Sequence, residues 1–140
     1  MNSLLNEKFK SSTAPIKVML VDDRAEVRQS VEIFLSLQED IEVVGEAGDG
    51  LQALEMARQL NPDVILMDIA MPLAGSQQFD GLDACREIKR EGLNAAVIVL
   101  TVHGDRATRK RAQQAGCSGF IEKGVSPGEL VVQIRELWAA

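Results

Sequence analysis

Four short apolar runs constrain this chain more than any other feature, because each ends on a residue able to do chemistry. Ile16 to Val21 leads into Asp22 and Asp23, and Val64 to Met67 leads into Asp68. Ala96 to Leu100 leads into Thr101, and the GFIE run from Gly119 leads into Lys123. Runs this short, rich in β-branched residues and closed by turn signals, read as buried strands of a parallel sheet. Amphipathic stretches separate them, so strand and helix alternate from Ile16 onward with no long linker, repeat or low-complexity tract.

Five strands and five helices in alternation, joined by right-handed crossovers, predict a flavodoxin-like doubly wound (βα)5 fold. This is an α/β three-layer sandwich around a parallel five-stranded sheet of order 2-1-3-4-5. In such sheets ligands bind beyond the carboxyl ends of the strands, at the switch point between strands one and three. Asp22, Asp23 and Asp68 are expected to meet there.

The helix ends are readable. Asp23-Arg24-Ala25-Glu26 fits an N-cap with a capping-box acid, followed by Val27, Val31, Phe34 and Leu35 on one face. The second helix starts near Asp49-Gly50, carries Leu51, Leu54 and Leu60 inward, and must stop before Pro62. The third presents Leu82, Cys85 and Ile88. The fourth, Asp105 to Ala115, offers only Ala107, Ala112 and Ala115 as inward residues. Alanines remove little apolar area from water, so this helix is expected to be weakly anchored. The last opens with the capping box Ser126-Pro127-Gly128-Glu129 and turns Leu130, Ile134 and Leu137 to the core.

Composition excludes several classes. A net charge of −6 and a pI near 4.8 argue against nucleic-acid binding by this chain, which needs a dominant basic patch. No apolar run approaches the roughly 20 residues that span a bilayer. The opening MNSLLNEKFKSSTAP lacks the apolar centre of a signal peptide. Residues 1–14 read as a polar, flexible extension and 15–140 as one domain. The expectation is a soluble, cytoplasmic protein without membrane contact. Cys85 and Cys117 show no CxxC spacing and no histidine cluster, and they read as small, reduced core residues, Cys117 at a strand start.

Three carboxylates brought close repel one another, and a hard divalent cation relieves this most simply. Mg²⁺ (or Mn²⁺) favours one or two carboxylates, waters and a phosphate oxygen. Asp23 and Asp68 are expected to coordinate directly, with the Ala70 backbone carbonyl as a third ligand and Asp22 acting through water. An aspartate beside such an ion can attack phosphorus and form an acyl phosphate. The Lys123 ammonium would hold equatorial oxygens of the transferring group, and Thr101 would give it a hydroxyl hydrogen bond. Taken singly, each residue has a plainer role: a helix cap for Asp23, a solvated lysine, a strand-end threonine. Their shared position at one sheet edge favours the chemical reading.

With those residues in place, the sequence resembles the receiver domain of bacterial two-component response regulators from Ile16 to about Trp138. The motifs are VDD after strand one, DIAMP around Asp68, the following DGL, the LT pair and FIEK. The resemblance implies that Asp68 accepts a phosphoryl group from a phosphohistidine on a sensor histidine kinase or a histidine phosphotransfer protein. It implies that Asp22 and Asp23 organise Mg²⁺, that Thr101 and Lys123 bind the phosphoryl group, and that Phe120 is the switch aromatic. The stretch from Lys123 to Pro127 is most similar to receivers preceding LuxR-type helix-turn-helix domains. The chain therefore reads either as a stand-alone receiver or as the N-terminal part of a longer regulator. In the longer regulator a C-terminal DNA-binding effector domain, absent from this chain, is an expected partner, as is a phosphorylation-dependent homodimer.

Four departures qualify the resemblance. MPLAGSQQFDGL is five residues longer than the family's usual MPxxDGL. Val102 stands where many receivers carry alanine or glycine, and Gly124 replaces a proline, so no cis bond is expected there. Ala70 and the sole histidine, His103, occupy variable positions; a loop histidine is usually just solvated, or it could position water for hydrolysis. Arg106, Arg109, Lys110 and Arg111 make the fourth helix basic, either as a solvated face or as a contact surface.

Two other classes compete with a phosphorylation-controlled switch. An aspartyl-phosphate phosphohydrolase commonly carries a second aspartate two residues after the nucleophile as general acid, and here that residue is Ala70. A phosphorylation-independent interaction module would typically have lost an acid or the lysine, and none is lost. The expected chemistry is Mg²⁺-dependent self-phosphorylation and slow self-dephosphorylation rather than turnover of a substrate.

Overall fold

The computed structural model describes residues 14–69, 79–102 and 104–139. Five parallel strands, β1 (Ile16–Val21), β2 (Ile41–Ala47), β3 (Val64–Asp68), β4 (Ala96–Thr101) and β5 (Gly119–Glu122), form one sheet in the order β2-β1-β3-β4-β5. Four helices connect them, α1 (Ala25–Ser36), α2 (Gly50–Leu60), α3 (Gly81–Arg90) and α4 (Arg106–Gln114), and α5 (Pro127–Ala139) follows β5. This is the doubly wound order expected from the sequence.

Alternation along the strands divides the interior into two layers. Met19, Val21, Ile65, Met67, Val97 and Val99 point to one face and pack against α2, α3 and α4. Val18, Leu20, Val64, Leu66, Ile98 and Ile121 point to the other and pack against α1 and α5. Both faces of the central strands are covered, which is why their sequences are continuously apolar rather than alternating.

Helix ends place the loops that build the site. Asp49 caps α2, Asp80 and Asp83 form a reciprocal capping box on α3, and Asp105 caps α4. Ser126 Oγ accepts from the Glu129 backbone N–H at the start of α5. At the first helix the expectation needs correction: Arg24, not Asp23, is the N-cap, and it makes no side-chain cap bond. The Asp22 carboxylate accepts the Arg24 N–H at 2.9 Å, so the turn after β1 is closed from Asp22 and the helix begins one residue later.

Two inward assignments are also corrected. Leu51 is 51% exposed, because α2 faces the core with Ala53, Leu54 and Ala57. Its Gly50 lies so close to α3 that a Cβ there would sit 2.6 Å from the Asp80 carbonyl oxygen. Ala107 is exposed, which leaves α4 anchored by Ala112 and by Ala115 at its end. The thin anchoring expected of this helix is therefore thinner still.

Candidate functional site

Among the described residues, the buried polar side chains are Asp22, Asp68 and Thr101. All three lie at the carboxyl edge of the sheet, where β1, β3 and β4 end together. Parallel registry sets this: Val21 pairs with Met67, and Asp68 pairs with Leu100, the residue before Thr101. Thr101 in turn pairs with Glu122, and its carbonyl accepts the Lys123 N–H at 2.7 Å. Backbone hydrogen bonding alone thus delivers four separated segments to one point.

The side chains converge accordingly. Carboxylate oxygens of Asp22, Asp23 and Asp68 lie within 4.8 Å of one another. Lys123 Nζ donates to Asp68 Oδ2 at 2.6 Å and stands 3.5 Å from Asp22 Oδ2. Asp68 is 2% exposed and Asp22 6%, so the ammonium faces two nearly desolvated carboxylates. Charge pairing of this kind is stronger than on a surface, and removal of one partner is correspondingly costly.

Asp22, Asp23, Asp68, Thr101 and Lys123 all stand at the sheet edge where the sequence placed them. The Ala70 carbonyl, His103 and most of the long stretch after Pro72 lie outside the described residues. Val102 is 58% exposed, beside Thr101. Phe120 is half-buried on β5, with the Arg109 guanidinium 4.6 Å from the centre of its ring. That contact is a cation–π pairing between α4 and β5. It gives one of the basic residues of α4 a partner that sequence reasoning did not foresee.

Arg28 was also missed. It donates to the Asp22 carbonyl oxygen and, through Nε, to Glu46 Oε1 at 3.0 Å, tying the turn after β1 to β2. Its one signal is position: an arginine next to Val27 and one turn before Val31 on a helix face otherwise aimed inward. Glu46 is held below the usual carboxylate range, chiefly by a hydrogen bond from Glu32 and then by Arg28. Asp22, Arg28 and Lys123 also line a cavity of about 240 Å³ whose remaining wall is largely apolar, including Val27, Val31 and Leu66.

The bond after Lys123 follows the sequence expectation. No cis peptide occurs among the described residues, and Gly124 has φ +106°, a conformation that favours glycine and that proline's fixed φ forbids.

Comparison with known proteins places these features in context. The response regulator receiver domain model matches residues 18–135. The response regulator GacA of Pseudomonas aeruginosa is 40% identical over 124 residues, covering 89% of this chain and 56% of that protein. UvrY of Escherichia coli is 39% identical over 124 residues, covering 89% and 55%. The chain thus spans about half the length of the curated relatives it matches. Among solved structures, the signal receiver domain of the putative response regulator NarL from Mycobacterium tuberculosis superposes with a TM-score of 0.83 at 31% identity. That match covers 91% of this chain and 98% of the other.

Proposed function

This chain belongs to the response regulator receiver domain family, and from that premise we propose that Asp68 is its phosphoacceptor and that phosphorylation switches its surface. The observation that carries the reading is the meeting of three buried polar side chains with one ammonium, 2.6 Å from Asp68, at a single sheet edge.

In the proposed reaction an Asp68 carboxylate oxygen attacks the phosphorus of a phosphohistidine on a sensor histidine kinase or histidine phosphotransfer protein. The O–P bond forms, the N–P bond breaks, and the electron pair returns to the imidazole. The Lys123 ammonium already touches the attacked carboxylate, so it meets the phosphoryl oxygens as they arrive. Thr101, buried at the end of β4, supplies a hydroxyl donor to the attached group. Three hard oxygen donors in a small cluster, two of them buried and Asp23 partly exposed, suit Mg²⁺ or Mn²⁺, and Asp22, Asp23 and Asp68 would hold it. When bound, the ion supplies positive charge against the phosphoryl oxygens.

The switch uses the half-buried Phe120. Rotation of Thr101 toward the phosphoryl group opens space beside β4, and the ring moves inward from beneath Arg109. Helix α4, held by two alanines, then shifts against β5. A bias of a few kcal/mol suffices to exchange the populations of such an element. The unit that switches is residues 15–140, with 1–14 as an extension ahead of it. In the cytoplasm the output would be transcription through a C-terminal DNA-binding effector domain, with homodimerisation following phosphorylation.

The test is intact mass after incubation with a small-molecule phosphodonor and Mg²⁺. Wild type gains one phosphoryl mass, Asp68→Asn gains none, and chelation of the metal stops labelling. Equal labelling of Asp68→Asn would place the acceptor elsewhere.

A further inference from the structure

Cys85 and Cys117 lie outside the phosphoacceptor chemistry, yet their sulfur atoms stand 3.2 Å apart across 32 residues of sequence. They are free thiols. Cys85 is fully buried on the inner face of α3, whereas Cys117 is half-buried before β5. The sequence reading of Cys117 at a strand start is corrected, because β5 begins at Gly119. Its reading as a core residue stands in part: half-buried, it packs against the core from the turn before the strand.

The position of Cys117 is fixed by the end of α4. The Cys117 N–H donates to the Ala112 carbonyl and the Gly116 N–H to the Gln113 carbonyl, each at 3.0 Å, with Gly116 at φ +90°. These paired bonds are a Schellman motif, in which the residue after the glycine packs back on the helix. Cys85 Sγ also donates to the Ala115 carbonyl at 3.4 Å. One thiol therefore rides on α3 and the other on the stop signal of α4. A disulfide needs sulfurs about 2.05 Å apart, so closure asks for little more than 1 Å of approach.

We propose that Cys85 and Cys117 form a redox-active dithiol, a modification site that a hydroperoxide converts to a disulfide stapling α3 to the end of α4. The half-buried Cys117 is the sulfur that meets the oxidant. Once its proton has passed to solvent, the Cys117 thiolate attacks the peroxide and the O–O bond breaks. The departing oxygen takes up a proton and leaves as water or an alcohol, giving a sulfenic acid. The Cys85 sulfur then displaces the hydroxyl: the S–S bond forms, the S–O bond breaks, and water carries away the Cys85 proton. Two thiols lose two electrons and the peroxide gains them. The surroundings favour the resolving step. The thiol hydrogen bond from Cys117, aided by the charges of Lys89 and Arg86, holds Cys85 below the ordinary thiol range. Cys117 is pushed up by giving that hydrogen bond and by burial, so its deprotonation makes the first step the slow one.

The consequence, which rests on the switch reading above, is restraint of α4. The helix is held by two alanines, and a covalent tie at its end opposes its shift and so couples phosphorylation to oxidation.

The experiment treats the full chain with hydrogen peroxide, without phosphodonor or metal, alkylates remaining thiols and maps peptides unreduced. The expected product is an intramolecular Cys85–Cys117 link whose rate of formation is independent of protein concentration and which dithiothreitol reverses. Cys117→Ala, changed at the half-buried position so that folding is preserved, yields no link. Alkylation of both thiols after treatment, over-oxidation of Cys117 without a link, or links only between chains would overturn the dithiol. Amide exchange in α4 should slow at least several-fold in the linked protein; unchanged exchange would overturn the restraint. Neither readout involves phosphorylation, so failure here is distinct from failure of Asp68 as acceptor.

Discussion

Lys123 sits between two buried carboxylates, and its loss leaves them to repel each other. Lys123→Ala is expected to fold cooperatively but to lose about 1–3 kcal/mol of stability in urea unfolding. Adding Asp68→Asn to that variant should restore part of the loss, because the repelling charge goes with it. A strictly additive double variant would show that the two side chains are not coupled. Gly124 is a second residue-scale case. No atom lies within 4 Å of a Cβ placed there, so the cost of Gly124→Ala is backbone alone, about 1–2 kcal/mol by thermal unfolding. The five chemical residues were legible in the sequence because each terminates an apolar run, and parallel registry carries run ends to one edge. Arg28 and the Arg109–Phe120 stack were not, since each depends on how one helix is rotated against its neighbour.

At the scale of elements, α4 and α5 differ in what they bury. Leu130, Val131 and Ile134 each contribute about 1.5–3 kcal/mol of burial to α5, whereas α4 has only two alanines. Amide exchange should therefore be faster throughout α4 than in the centre of α5. Equal protection would contradict the movable role proposed for it. The α5 helix is also tied to the turn before β2, where Arg135 Nε and Nη2 meet the Asp40 carboxylate at 2.7 and 2.8 Å. The hydrogen bond from Arg135 holds Asp40 below its ordinary value. A depressed carboxylate stabilises the fold above the unfolded value near 3.9, and that contribution is lost as pH falls through the folded one. Both side chains are over two-fifths exposed, so Arg135→Ala should cost no more than about 1 kcal/mol at neutral pH. The difference from wild type should vanish in acid; a difference that persists at pH 2 would make the contact one of packing. Helix existence and order were readable from periodicity. The inward face of α2 was not, because Leu51 competes with a stripe of small residues whose value appears only when Gly50 meets Asp80.

For the molecule as a whole, the fold was legible because alternation of strand and helix leaves few topologies, whereas the proposed switch would be a balance between two packings of one sequence. On the proposed reading, the acidic cluster would make that balance ion-dependent. Mg²⁺ at a hundredfold excess over its dissociation constant should stabilise the native state by about 2.7 kcal/mol, read as a rise in Tm. Asp23→Asn should lose most of that rise; an undiminished rise would place the ion elsewhere. The most direct test of the central claim is chemical trapping of the phosphorylated residue. Borohydride reduces an aspartyl phosphate to homoserine, and peptide mass spectrometry after labelling should find homoserine at position 68 alone. Homoserine at any other aspartate, with Asp68 intact, would contradict it.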